Sequence, residues 1–286
     1  MAASIDNLVN VNFIKGNTDL LNFGLMLGGS GQHKPFISEL EKLIIALYSD
    51  GENGALYVPQ PIVNGTQALF QGSAGTVPVT ADGDPDGLTI DQSPNNNNAS
   101  QSVSAERPLY NLENGIHSLK GDGVDDNITS QDIVPWLTSS TANAFFAVAF
   151  KPNSTETGYI VHCDASGPSQ PLQSFALLAN FNGDSSFSVG GNVFNNPTEG
   201  LSTVIVYLQF NKSTGAGVIS WNGGAEQSIT VGSASNTVNP MRLFARCGGV
   251  NFNGKIYGVV GAEGPVSFDN RRNVMNYLAG LAGVTL

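Results

Sequence analysis

Three carboxylates lie within five residues in Gly121-Asp122-Gly123-Val124-Asp125-Asp126-Asn127. Oxygen ligands packed this densely can hold a hard cation such as Ca²⁺, which takes about six to eight of them. The loop lacks the EF-hand spacing and its terminal Glu. Glycines beside Asp also make a tight turn, in which the carboxylates accept backbone N–H groups. The turn is the expected role of Asp122, Asp125 and Asp126. Glycoside hydrolysis asks for two carboxyl groups facing one another across a cleft. The nine glutamates are scattered, mostly in segments that read as loops. His33, His117 and His162 lie far apart. His162 and Cys163 adjoin, but neighbours on a strand point to opposite faces and cannot chelate together. Neither a G-x-S-x-G elbow nor an H-E-x-x-H zinc motif occurs. Trp136 and Trp221 have the flat apolar surface that stacks on a sugar ring, and Trp221 stands at a hairpin tip before Asn222-Gly223-Gly224; packing in a core or at a sheet edge is the expected role of both. The Gly-rich "GLMLGGSGQ" (24–32) reads as a hinge and lacks the Gly-Lys-Ser/Thr ending of a phosphate loop. No catalytic, cofactor-binding or metal-ligating residue is assigned, and no enzymatic activity is expected.

The elements that would position these residues are mostly strands. "NAFFAVAF" (143–150) places Ala144, Phe146, Val148 and Phe150 on one face. "SFALLANF" (174–181) does the same with Phe175, Leu177, Ala179 and Phe181, and "LSTVIVYLQF" (201–210) with Val204, Val206, Leu208 and Phe210. "NGD" (182–184), "NKSTGAG" (211–217) and "NGG" (222–224) supply the turns. This spacing of short strands predicts an antiparallel sandwich. Two helices interrupt it. "PFISELEKLIIALYSDG" aligns Phe36, Leu40, Leu43, Ile44 and Leu47; either Pro35 or a Ser38–Glu41 capping box opens it, and Asp50-Gly51 ends it. At the other end Ser267 caps a helix whose buried stripe is Val274, Met275, Leu278 and Leu281, closed by Gly283.

Composition narrows the partners. The 286 residues carry 12 basic and 23 acidic side chains, a net charge of −11 that repels phosphate backbones, and no Lys/Arg stripe offsets it. Nucleic acid is excluded as a partner on that ground. No apolar run is long enough to cross a bilayer as a helix, which takes about 20 residues, and no signal peptide is read at the start. Cys163 and Cys247 are expected as buried free thiols. The N-x-S/T matches at Asn64, Asn98, Asn127, Asn153 and Asn211 follow from an Asn/Ser/Thr-rich composition, and none is read as glycosylated.

Three stretches, in order, carry a family likeness. They are "ALFQGSAGTVPVTADGDPDGLTIDQSPNNNNASQSVSAERPLY" (68–110), "NGIHSLKGDGVDDNIT" (114–129) and "FNGKIYGVVGAEGPVSFDNRRNVMNYLAGLAGVTL" (252–286). Together, residues 62–286 resemble the concanavalin A-like (laminin-G-like) jelly-roll domains of bacteriophage and prophage structural proteins. Lys120-Gly121 stands where that family commonly has an aromatic. The resemblance implies a mainly β, two-sheet jelly-roll sandwich over residues 56–286, with an ordered leader strap over 62–110 and a terminal helix over 267–282. Residues 1–55 would be an arm with an amphipathic helix, for assembly or anchoring. It further implies a non-enzymatic virion protein, on head, fibre or tail, whose partners are other virion proteins and copies of itself. The alternatives are a tail receptor-recognition module binding host surface glycans and, more weakly, a polysaccharide-degrading enzyme. No cofactor, nucleic acid or membrane insertion is expected.

Overall fold

The computed structural model describes residues 8–12, 22–26, 37–133, 143–163, 175–181, 184–190, 192–196, 201–232, 240–246 and 249–286. His33, Trp136, Cys247, the 24–32 hinge apart from Gly24–Met26, and the 182–184 turn apart from Asp184 lie outside them. The chain divides into two compact units, Met1–Lys42 and Leu43–Leu286. In the first, β1 (Leu8–Asn12) pairs antiparallel with β2 (Asn22–Met26). Helix α1 (Glu39–Tyr48) begins with the expected capping box: the Glu41 N–H donates to Ser38 Oγ at 3.1 Å and the Ser38 N–H to Glu41 Oε2 at 2.7 Å. Gly51, at a φ of 97°, takes the chain out of it. Leu40, Leu43 and Leu47 are buried, Ile44 half-buried, and Phe36 lies outside the described residues.

The second unit is mainly β. Its strands are β3 (Gly54–Tyr57), β4 (Ile62–Val63), β5 (Thr66–Gln67), β6 (Leu69–Phe70), β7 (Leu88–Thr89), β8 (Ala99–Ser100) and β9 (Leu109–Glu113). Then follow β10 (Ile116–Asp122), β11 (Ile128–Ile133), β12 (Asn143–Pro152), β13 (Gly158–Cys163), β14 (Phe175–Phe181), β15 (Asp184–Val189) and β16 (Asn192–Asn196). The last are β17 (Val204–Asn211), β18 (Ala216–Trp221), β19 (Gln227–Thr230), β20 (Pro240–Leu243) and β21 (Asn253–Glu263). An eight-stranded sheet runs β19-β18-β17-β12-β21-β10-β9 with β3 also on β21; a nine-stranded sheet runs β16-β15-β14-β13-β20-β11-β8-β7-β6. Their ladders are antiparallel.

The inward faces meet in one core, in a sandwich-like arrangement. Phe146 of the first sheet packs edge-on against Phe175 of the second at 5.0 Å between centroids, and Phe187 lies beside Trp221 at 5.9 Å. The alternation read from the sequence holds, since Ala144, Phe146, Val148 and Phe150 all enter this core with Val204, Val206, Leu208 and Phe210. The residues between them, Phe145, Ala147, Ala149, Ile205 and Tyr207, are buried too, on the outward face of the eight-stranded sheet.

Helix α2 (Phe268–Leu281) packs on β12, β17 and β21 there. Ser267 caps it, accepting from the Asn270 N–H at 3.2 Å. It ends in a Schellman turn, with the Val284 N–H on the Ala279 carbonyl and Gly283 at a φ of 68°. Val274, Met275 and Leu278 are at most 1% exposed, and burying each contributes ~1.5–3 kcal/mol. Leu281, expected in the stripe, is half-buried, while Arg271 joins it. A β-carbon at Gly258 would come within 2.9 Å of both Leu278 and Leu281, so the glycine lets the helix lie close on the sheet.

Residues 76–110 bury few apolar side chains and are held by polar ones. Asp91 Oδ1 accepts from the Leu56 and Ser93 N–H groups, and its Oδ2 accepts from Ser93 Oγ and the Asn97 N–H, all at 2.7–2.9 Å. Asn97 donates to the Gly54 carbonyl, and Asn96 takes a φ of 57° that Asn tolerates. At the end of this stretch Leu109 already pairs with Lys120 in the eight-stranded sheet.

Candidate functional site

The two sandwich layers differ on their outward faces. That of the eight-stranded sheet is apolar and lies under α2. On the nine-stranded sheet, the register aligns Val193, Ser188, Ala176, His162, Arg242, Thr129 and Ser100 in one row. Residues opposite one another in an antiparallel ladder share a face, so this row projects together. Beside it Asn195, Ser186, Leu178 and Tyr159 form a second row, and Ser186 Oγ lies 2.7 Å from Asn195 Oδ1. Tyr159, Ala176 and Leu178 make a small apolar cluster apart from the main core.

Arg242 stands on this face because its neighbours Met241 and Leu243 point into the core. Plain alternation would turn Phe244 outward beside it. Instead Phe244 sits at a φ of 67°, a left-handed conformation that costs a bulky residue roughly 1–3 kcal/mol. Its ring turns inward, 6.2 Å from that of Phe252. The Phe244 N–H donates to the Ile160 carbonyl at 3.0 Å, and its own carbonyl accepts from the Phe252 N–H at 2.7 Å. The face beside Arg242 is thereby cleared of an aromatic side chain. Further along, the Arg246 guanidinium lies 5.6 Å from the Tyr159 ring centroid, with His162 edge-on to the same ring at 5.2 Å. Ser186, Ser188 and His162 are buried, whereas Ser100, Thr129 and Arg242 are half-buried. Tyr159, at 7% exposed, is buried as well. The half-buried guanidinium and hydroxyls of this face can hydrogen-bond to a hydroxyl-rich or anionic ligand.

The residues singled out from the sequence fall elsewhere. The Asp122–Asp126 segment is the expected turn: the Val124 N–H donates to Asp122 Oδ1 at 2.7 Å and the Asp122 N–H to Asp126 Oδ2 at 2.9 Å. Carboxylate oxygens of Asp122, Asp125 and Asp126 lie within 4.8 Å of one another, two of the three residues being exposed. Burial pushes Asp126 up to about 7, and the neighbouring charges of Asp122 and Asp125 add to it. Trp221 is in the core, as expected, and is no sugar platform; its Nε1 is buried without a hydrogen-bond partner among the described residues. His162 and Cys163 point to opposite faces, the Cys163 thiol being free and packed against the core. Burial holds that thiol well above its ordinary range. His117 Nδ1 lies 2.6 Å from the Tyr110 hydroxyl, and burial lowers its pKa. The sequence reading passed over Arg242, Thr129 and Ser188. The only signal for Arg242 was a lone charge between Met and Leu in a short apolar run.

No protein-family model matches the chain, and no curated protein does. Solved structures do. A GH54 α-L-arabinofuranosidase soaked with a cyclic sulfate inhibitor superposes with a TM-score of 0.57 at 12% identity, over 79% of this chain and 62% of the enzyme. An arabinofuranosidase complexed with arabinofuranosyl-α-1,2-xylobiose gives 0.50 at 11% identity, over 69% of this chain and 51% of the enzyme. Domain 4 of AbnA, a GH43 extracellular arabinanase from Geobacillus stearothermophilus, gives 0.49 at 14%, over 68% of this chain and all of that domain. The chain thus spans between half and two thirds of the first two, and at these identities the likeness is one of fold.

These findings correct the family reading. The two superposing enzymes are carbohydrate-active proteins, not phage virion proteins, and the expected virion location and virion partners fall with that resemblance. The expectation of a non-enzymatic protein is corrected as well. Glycoside hydrolases contain this fold, so a sandwich of this kind is no argument for an inert role.

Proposed function

We propose that residues 56–286 form a concanavalin A-like jelly-roll module that binds glycan on the outward face of its nine-stranded sheet, with residues 1–55 as an N-terminal arm whose last residues, Gly54 and Ala55, pair with β21. The observation that carries this is the contrast between the two outward faces: one apolar and under a helix, the other bearing the half-buried Arg242, Thr129 and Ser100 in register. Sugars offer hydroxyls for such donors and acceptors. The fold likeness to an arabinofuranosidase complexed with arabinofuranosyl-α-1,2-xylobiose supports the same ligand class. An extracellular setting, where polysaccharide is met, goes with it.

The test is a glycan array, followed by titration calorimetry with arabinofuranosyl-xylobiose and with the array's best ligands. Binding that is lost in Arg242→Ala and weakened in Thr129→Ala, both verified as folded, is the expected result. A folded protein that binds no glycan, or binding indifferent to both changes, overturns the proposal. Reducing-end release measured on the bound glycans reports whether hydrolysis accompanies binding.

A further inference from the structure

We infer that the ligand of this face carries a carboxylate, as an acidic sugar does, and that Arg242 is the residue that reads it; this rests on the glycan-binding proposal above. The chain has five arginines, and their surroundings differ. Arg107 donates to the Gln101 and Ser102 carbonyls. Arg271 binds Glu226 and the Val266 carbonyl, and Arg272 donates to the Gly223 carbonyl. Arg246 lies over the Tyr159 ring. Arg242 is half-buried and makes no hydrogen bond or ion pair among the described residues.

Partly desolvating a guanidinium without an acceptor is unfavourable. Carboxylates are not scarce in a chain with 23 of them against 12 basic residues, yet among the described residues none is placed on Arg242. Its row neighbours are the Thr129 hydroxyl and the His162 ring, and no position in the row is a carboxylate. The inward turn of Phe244 leaves the next position along the strand without a bulky outward side chain. The planar fork of the guanidinium matches a carboxylate in a bidentate pair, which neutral hydroxyls cannot reproduce. The acidic protein as a whole repels anions, so recognition must come from this short-range pairing, and added salt should weaken it.

The experiment is calorimetric titration of the full chain with three probes: a hexuronic acid trisaccharide, sialyllactose, and a neutral arabinotriose. Tighter binding of one acidic probe over the neutral one, by roughly tenfold or more, is expected, and which acidic probe binds identifies the sugar class. In Arg242→Gln that ratio should collapse toward one; if this variant does not fold, Arg242→Lys, which keeps the charge without the fork, should reduce the ratio. Neutral binding equal to or tighter than acidic binding overturns the inference while leaving the glycan-binding proposal standing. An acidic preference unchanged by substitution of Arg242 also overturns it. Failure of all probes, together with a blank glycan array, removes the proposal and the inference together.

Discussion

Replacing Asp86 with Asn should change how stability depends on pH, and the size of the effect follows from its surroundings. Asp86 is fully buried. Its Oδ2 accepts from the Thr89 hydroxyl at 2.5 Å, and its Oδ1 has no hydrogen-bond partner in good geometry among the described residues. Burial pushes the carboxyl up to about 7 from an ordinary 3.8, against the opposing pull of Thr89 and the nearby backbone N–H groups of Leu88 and Phe70. A folded-state pKa above the unfolded one means that the protonated form is preferred inside. The stability tied to that preference is complete below about pH 3.8, declines as pH rises, and is gone above about 7. At ~1.36 kcal/mol per pH unit, the span corresponds to ~4 kcal/mol. Asn is the same size, cannot ionise, and still offers an oxygen to Thr89. Urea unfolding of both proteins at pH 4, 6 and 8 is the assay. The variant should gain on the wild type progressively with pH, by a few kcal/mol at pH 8. Asp126, also raised to about 7, titrates in both proteins and drops out of the difference. A difference that stays constant from pH 4 to 8 would refute the reasoning.

Breaking the Arg271–Glu226 pair, which lies against the Tyr207 hydroxyl and has side chains 10% and 21% exposed, should cost ~3–5 kcal/mol in Arg271→Met, because Glu226 is left without its cation; denaturant midpoints check this, and a loss below about 1 kcal/mol contradicts it. Asp91→Ala strips an acceptor from four donors at once; at ~1–3 kcal/mol for each donor left unsatisfied, the variant should fail to give a cooperative melt. Gly258→Val should push α2 off the sheet, since even a β-carbon there meets Leu278 and Leu281 at 2.9 Å, and faster proteolysis within residues 268–286 is the expected readout. Ser38→Ala should remove ~1 kcal/mol of helix stability through the lost cap, seen as faster amide exchange in the first turn of α1.

The strand pattern was legible because burial on one face imposes a period of two. Phe146 and Val148 announce the core whatever packs on the other side. Both helices were legible for a related reason: capping chemistry is local, and Ser38–Glu41 and Ser267–Gly283 state their ends within a few residues. Residues 145, 147 and 149 are equally apolar, but only the presence of α2 on that face explains why. The acceptors gathered on Asp91 were not legible, because Leu56 lies 35 residues away and meets it only in the folded chain. Arg242 was hidden for the same kind of reason. Its significance lies in the register that brings Thr129 and His162 to its sides, and in a backbone conformation at Phe244 that residue type does not foretell. The family reading failed differently: motif order spoke to a fold, and the biological setting was carried over with it.

The place of β12 in the eight-stranded sheet has a consequence for synthesis. Phe145 to Phe150 are buried on both sides, and the strand that flanks them through most of its length, β21, begins only at Asn253. The helix over their outward face emerges later still. During translation this apolar run must therefore wait for partners more than a hundred residues downstream, with β17 alone available earlier. Nascent chains of this kind present sticky strand until those partners have been made. A chain that stops before Asn253 would stay in that state permanently, so a truncation removing β21 and α2 should yield aggregates and not a slightly shorter protein.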